Sequence, residues 1–223
     1  NQKSSKSCRI FLEKIINVKK YKLRELSSMT ASETAKIIEN SYRAVNIAFM
    51  EEWSSFAEEL GLDMFEIIDA IKDRPTHSNI MQPGLGVGGY CLTKDPHMGK
   101  VSLKKFFDLP ALDFPISEMG VHVNQEMAPK NANRMLQFLG NVKNKEVLVM
   151  GVAYKSDVDD TRNSPVISIF NALSSVGANI TLHDPLVTYW DELDLYIDSR
   201  LPDFDKFYSI ILAVPHEQYL SID

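Results

Sequence analysis

The chain has 223 residues, 44% of them hydrophobic and 24% charged, enough to bury a substantial core in two domains of ordinary size. Its formal charge of −6 argues against nucleic acid as a partner, because proteins that hold nucleic acid present a net basic face to phosphate. Two distant cysteines without CxxC or histidine-rich spacing speak against a disulfide framework or a zinc site, and no apolar run nears the roughly 20 residues of a membrane span.

From Lys3 to Arg24 the chain carries Lys3, Lys6, Arg9, Lys14, Lys19, Lys20, Lys22 and Arg24 against Glu13 alone, and residues 1–27 are read as a linker remnant to which no function is assigned. Neither a signal peptide nor an initiator methionine opens the chain, so it is read as cytoplasmic and as preceded by something removed. From Thr30 to Leu60 apolar residues recur at helical spacing (Ala35, Ile38, Tyr42, Val45, Phe49, Trp53, Phe56, Leu60), predicting one long helix with Ser32 and Glu33 near its start and Gly61 as its stop. Asp63 caps a second helix running to Ile71, which Asp73-Arg74-Pro75 ends. A glycine-rich loop follows from about Pro83 to Asp95, and Ile116 to Leu139 is again helical in period, with Pro129 expected to kink or split it. Residues 28–140 thus read as an all-helical unit with one conspicuous loop.

At Asn144 the texture changes. Val147–Gly151, Ile180–Asp184 and Ile210–Val214 are short apolar strands, the second and third ended by prolines, and Ser164-Pro165 opens a helix that Gly177 closes. Continuous apolar strands alternating with a helix predict a parallel sheet covered on both faces, so residues 141–223 form a small Rossmann-like α/β domain and the chain is α/β overall.

The loop holds Gly84, Gly86, Gly88 and Gly89 just before Cys91. Glycine content alone fits a plain surface loop. A cysteine among backbone donors with Lys94 three residues on, however, is placed where a thiolate would be favoured. The loop is not a dinucleotide fingerprint: residues 79–83 make no convincing strand, and Pro96 follows closely. Lys36 and Asn40 share a helix face at four-residue spacing, a pairing that is ordinarily solvated surface. Between the first strand and helix of the α/β unit, Lys155 and Arg162 could hold phosphate at the carboxyl end of the sheet, or simply line a charged loop capped by Ser164.

Three blocks, Ser32–Asn46, Arg74–Pro96 with its Gly-x-Gly-x-Gly-Gly-x-Cys-x-x-Lys-Asp core, and Gly151–Pro165, together resemble the UDP-glucose and GDP-mannose dehydrogenase family, in particular its UDP-N-acetylhexosamine branch. The resemblance runs from about residue 27 to about residue 215. It implies a central helical dimerisation domain and a C-terminal domain for the UDP-sugar, with the main NAD-binding domain absent from this chain. It further implies oxidation of a sugar C6 hydroxyl to a carboxylate in two hydride transfers, NAD being the cofactor and Cys91 the covalent nucleophile. Lys36 and Asn40 would stabilise oxyanion charge, and Asp95 would orient Lys36 or activate water. Arg74, Asn79, Gly84, Gly86, Gly88, Gly89, Tyr154 and Lys155 would contact the substrate; Arg162 and Lys94 would reach toward NAD phosphate. The implied partners are a UDP-sugar and a second copy of the chain, joined through the central helices. A module that only dimerises and binds nucleotide sugar, without chemistry, is the alternative, although binding alone does not need a thiol.

Overall fold

The computed structural model describes residues 2–110 and 112–222. Two compact units are present, Asn1–Lys36 and Ile37–Asp223. In chain order the helices and strands are α1 (Gln2–Ile15), α2 (Met29–Glu59), α3 (Met64–Lys72), α4 (Asp95–Phe106), α5 (Pro115–Leu139), β1 (Glu146–Met150), α6 (Val166–Ser175), β2 (Asn179–His183), β3 (Tyr189–Trp190), β4 (Leu195–Tyr196) and β5 (Ser209–Leu212). A helical region thus precedes a small parallel α/β domain. Among the described residues no helix is long and apolar enough to cross a membrane.

In the first unit the basic stretch forms α1, where Arg9 pairs with Glu25 at 2.9 Å and Ser5 donates to the same carboxylate. The start of α2 is capped by Ser28, whose Oγ accepts from the Ala31 amide at 3.1 Å, rather than by Ser32 as expected.

In the second unit, Asp63 caps α3 as predicted, its Oδ1 accepting from the Phe65 amide at 2.8 Å. Pro129 neither ends nor divides α5. The carbonyl it leaves without an amide belongs to Gln125, and both residues are exposed.

The long helix buries a different face from the one its periodicity marks. Ala44, Ala48 and Ala57 are buried together with Asn40, Met50 and Glu51, while Ile38, Tyr42, Phe49, Trp53, Phe56 and Leu60 are all exposed in the single chain. Small side chains allow α5 to approach closely: a Cβ on Gly120 would lie 2.9 Å from Val45 Cγ2. Asn124 reaches across to donate to the Ala44 carbonyl at 2.9 Å, and Lys130 meets Glu51 at 3.4 Å.

Strand order is β2-β1-β5, all parallel, with Val149 opposite Leu182 and Ile211. Central β1 is the strand whose apolar run is buried from Val147 to Met150. Alternate residues of β5, Ile210 and Leu212, are exposed, because an edge strand of a three-stranded sheet is covered on one face here; the expectation of cover on both faces holds for β1 and fails for β5. The main core gathers Val147, Val149, Val166, Ile169, Leu173 and Trp190, and takes in Met135, Leu136 and Leu139 from the end of α5 together with Leu85 from the glycine-rich loop. That shared packing fixes the loop against the α/β domain.

Candidate active site

The chain doubles back at the carboxyl ends of β1 and β5, where neighbours of β1 are reached in opposite directions; in open α/β sheets this crevice is where ligands sit. The loop from Gly151 to Pro165 forms its floor. Gly151 turns there at φ +85°, with the place of a Cβ only 2.5 Å from Val214 Cβ, so no side chain fits. Beneath it the buried Asp184 carboxylate accepts from the Val152 and Ala153 amides at 2.7 and 3.2 Å and from the Leu186 and Val187 amides at 2.9 and 3.0 Å. Buried His216 accepts the Asp157 amide on Nδ1 at 3.0 Å and turns its Nε2 toward Asp184 at 3.1 Å. Asp184 and His216 therefore pin both ends of the turn that carries Tyr154 and Lys155. Sequence reasoning gave neither a role, and the His183-Asp184-Pro185 strand end was the visible signal.

Burial also pushes His183 below the ordinary histidine value, and Tyr219, whose hydroxyl lies 2.8 Å from His183 Nδ1, far above the ordinary phenol value. Both stay uncharged at neutral pH.

Above that floor lies the glycine-rich loop. A Cβ on Gly88 would fall 2.7 Å from the Asn163 carbonyl oxygen and 2.7 Å from Tyr154 Cβ, and one on Gly89 would fall 3.0 Å from the Tyr154 ring. Gly86 is as close to Ala128 and Pro165, at 2.9 Å from each, whereas Gly84 has open space. Three of the four glycines thus serve close approach of protein to protein, a reason for glycine that composition alone does not separate from ligand binding. Side-chain amides hold this segment: Asn46 donates to Asn79 O at 3.1 Å and accepts from the Met81 amide at 3.0 Å, Asn131 donates to Gly84 O at 3.0 Å, and Asn163 donates to Gly89 O at 3.0 Å. Of the substrate candidates upstream, Arg74 and Asn79 are exposed beside the single helical turn Pro75–His77.

Cys91 follows directly and is exposed, a free thiol like Cys8. Its carbonyl accepts from the Lys94 and Asp95 amides at 3.2 and 2.9 Å, which turns the chain into α4. A helix does follow the loop, contrary to the reading of Pro96 as a break: proline is suited to the first helical turn, where amides lack partners anyway. Asp95, mostly buried, accepts from Asn40 Nδ2 at 2.6 Å and from Lys94 Nζ at 2.7 Å. Asn40, Lys94, Asp95 and the Cys91 turn are therefore one cluster. The Lys94 pKa is raised, first by its bond to Asp95, with Asp95, Tyr90 and Cys91 adding charge attraction; it is a cation at neutral pH and not a base. Lys36 precedes Asn40 by one turn of α2.

Two cations approach the Tyr90 ring, Lys94 Nζ at 5.0 Å and the Arg162 guanidinium at 5.7 Å from its centre. Arg162 is also forked onto Asp160 at 2.6 Å, which raises the arginine and lowers the carboxyl. Lys155 lies 5.9 Å from the Tyr154 ring centre. An exposed thiol, a carboxylate tied to an amide and an ammonium, and a cationic rim thus surround a loop seated on the α/β domain, an arrangement able to hold an anionic substrate beside a nucleophile.

Comparison with known proteins gives a family for both parts of the chain. Residues 30–126 match the central domain of the UDP-glucose/GDP-mannose dehydrogenase family, and residues 148–223 match that family's UDP binding domain. The chain is 30% identical to the UDP-N-acetyl-D-mannosamine dehydrogenase of Pyrococcus horikoshii, over 89% of this chain and 45% of that protein. It is 27% identical to the UDP-glucose 6-dehydrogenase of Rickettsia bellii over 89% of this chain and 46% of that one. The crystal structure of NDP-N-acetyl-D-galactosaminuronic acid dehydrogenase from Methanosarcina mazei superposes with a TM-score of 0.73 at 27% identity, covering 88% of this chain and 43% of the other. The chain spans slightly less than half the length of these relatives. It belongs to the UDP-glucose/GDP-mannose dehydrogenase family and carries that family's central and UDP-binding domains.

Proposed function

We propose that this chain is the nucleophile-bearing and nucleotide-sugar-binding portion of an NAD-dependent nucleotide-sugar 6-dehydrogenase, its substrate a UDP-N-acetylhexosamine. The observation that carries the reading is the joining of Asn40, Asp95 and Lys94 at the Cys91 turn, on a loop seated against the Tyr154–Pro165 loop of the UDP-binding domain. Tyr154 and Lys155 hold the nucleotide, and the loop with Arg74 and Asn79 faces the sugar. The sugar assignment rests on relatives named for N-acetylated sugars.

Cys91 Sγ adds to the C6 aldehyde, forming the C–S bond while the carbonyl oxygen takes the negative charge. Asn40 and Lys36 stabilise that oxygen, each donor being worth roughly 3 to 4 kcal/mol in the transition state. After oxidation the acyl group rests on sulfur as a thioester, and water aligned by Asp95 releases the carboxylate and returns the thiol. Lys94 and Arg162, both close to the Tyr90 ring, fit a phosphate of NAD. When bound, NAD supplies the hydride acceptor for both oxidations.

A homodimer completes the assembly. The exposed stripe Ile38, Tyr42, Phe49, Trp53, Phe56 and Leu60 is a continuous apolar helix face, with edge-to-face rings at 6.3 and 5.5 Å, suited to a second copy of α2.

The test is Cys91→Ser in the chain joined to a nicotinamide-binding domain. Carboxylate formation should fall at least a thousandfold while UDP-sugar binding persists; acid formed at the parent rate overturns the nucleophile assignment. The chain alone should bind UDP and reduce no NAD.

A further inference from the structure

The loop bearing the thiol and the loop assigned to the nucleotide are joined by hydrogen bonds at Gly89. Gly89 donates its amide to the Arg162 carbonyl at 2.9 Å and accepts the Asn163 side-chain amide on its own carbonyl at 3.0 Å. The Asn163 main-chain oxygen and Tyr154 Cβ press on Gly88, and the Tyr154 ring lies on Gly89. Cys91 is two residues farther on.

Asn163 is suited to this place in two ways. Its φ of +52° lies in the left-handed region, which asparagine tolerates better than most residues, and that turn lets the Arg162 carbonyl and the Asn163 side chain meet the same glycine. Its amide then supplies the donor that a carbonyl requires. An aspartate there would keep the backbone preference and the shape, yet set a carboxylate against a carbonyl; a glycine would keep the backbone alone.

We propose that Asn163 is a positioning residue that couples the nucleotide loop to the thiol: through Gly89 it holds the Cys91 loop, so that a nucleoside diphosphate seated on Tyr154 and Lys155 tightens that loop and slows access to the cysteine. The inference rests on the assignment of Tyr154 and Lys155 to the nucleotide. Ligand pressing the Tyr154 ring presses Gly89 with it, because ring and glycine are already in contact, and the paired hydrogen bonds turn that pressure into order rather than displacement.

The experiment uses the whole chain with Cys8→Ser, since Cys8 is also an exposed thiol, and UDP as the probe. Alkylation of Cys91 by iodoacetamide is timed at fixed pH with and without saturating UDP, and UDP affinity is measured by calorimetry. In the parent, UDP should slow alkylation about fivefold, the factor that one ordinary hydrogen bond commands. Asn163→Asp should bind UDP within about threefold of the parent and lose the slowing, a separation that general loosening of the fold does not produce. Asn163→Gly, which keeps the left-handed turn without the donor, should behave alike and decides the matter if the aspartate variant does not fold. Slowing that survives in a variant that binds UDP overturns the coupling, as does loss of UDP binding in both variants. A parent chain that fails to bind UDP at all overturns instead the nucleotide assignment beneath it.

Discussion

Replacing Gly88 by alanine probes the seam between the loop and the α/β domain. The new Cβ would stand 2.7 Å from the Asn163 carbonyl oxygen, 2.7 Å from Tyr154 Cβ and 3.1 Å from Pro165 Cδ, where ordinary contact begins at 3.4 Å. None of these is the free end of a flexible side chain, so the two loops must part by more than half an ångström. Overpacking of this kind costs about 1 to 3 kcal/mol. Gly88 does not have a left-handed φ, so alanine also restricts the unfolded chain, which offsets roughly 0.4 to 1 kcal/mol. The net expectation is a loss of about 1.5 kcal/mol, or roughly 0.5 to 1.5 M in the urea midpoint at ordinary slopes. Gly84→Ala is the internal control: with open space around it and no left-handed φ, it should leave the midpoint unchanged or raise it slightly. Urea unfolding followed by circular dichroism reads both. A Gly88→Ala midpoint at or above the parent's refutes the close-approach account of this glycine.

If the chain dimerises through α2 as proposed, Trp53→Glu, which places a charge in the middle of the exposed stripe, should convert that dimer to a monomer in sedimentation equilibrium with helix content intact; a monomeric parent or an unchanged dimer would refute the α2 interface. Burial depresses the His183 pKa, so the folded chain holds that proton less tightly than the unfolded one. Its share of stability is therefore complete above about pH 6.5, the ordinary histidine value, and is lost as pH falls through the interval below it. The fall in urea midpoint between pH 7.5 and 5.5 should shrink in His183→Gln, and an identical fall in parent and variant would contradict this.

Much of the fold was legible because its signals are local. Asp63 reads as a cap, Gly177 turns at φ +76° as the predicted end of its helix, and the apolar runs of β1 and β2 are strands. Two helices escaped. The basic residues of α1 gave no firm period, and Pro96 reads in the sequence as a break, whereas in the structure it sits in the first turn of α4. Periodicity found α2 but could not say which face is covered: most of its large apolar residues are exposed, Met50 excepted, and the Ala44 turn receives Asn124 of α5. At the site, Cys91, Asn40, Asp95 and Lys94 stand out in the sequence by type and spacing, whereas the contact of Asn40 with Asp95 spans 55 positions and leaves no local trace. The clamps by Asn46, Asn131 and Asn163, and the Asp184–His216 pin, join residues far apart in sequence through single hydrogen bonds, which leave no periodic trace.

The account as a whole depends on a sugar's terminal carbon reaching the thiol from a nucleotide held on the α/β domain. A crystal structure of the Cys91→Ser chain soaked with a UDP-N-acetylhexosamine measures this directly. The diphosphate should lie against Tyr154 and Lys155, with C6 within about 3.5 Å of the residue 91 side-chain oxygen, the range of a reactive approach. A nucleotide bound elsewhere, or a sugar turned away from residue 91, would contradict the account.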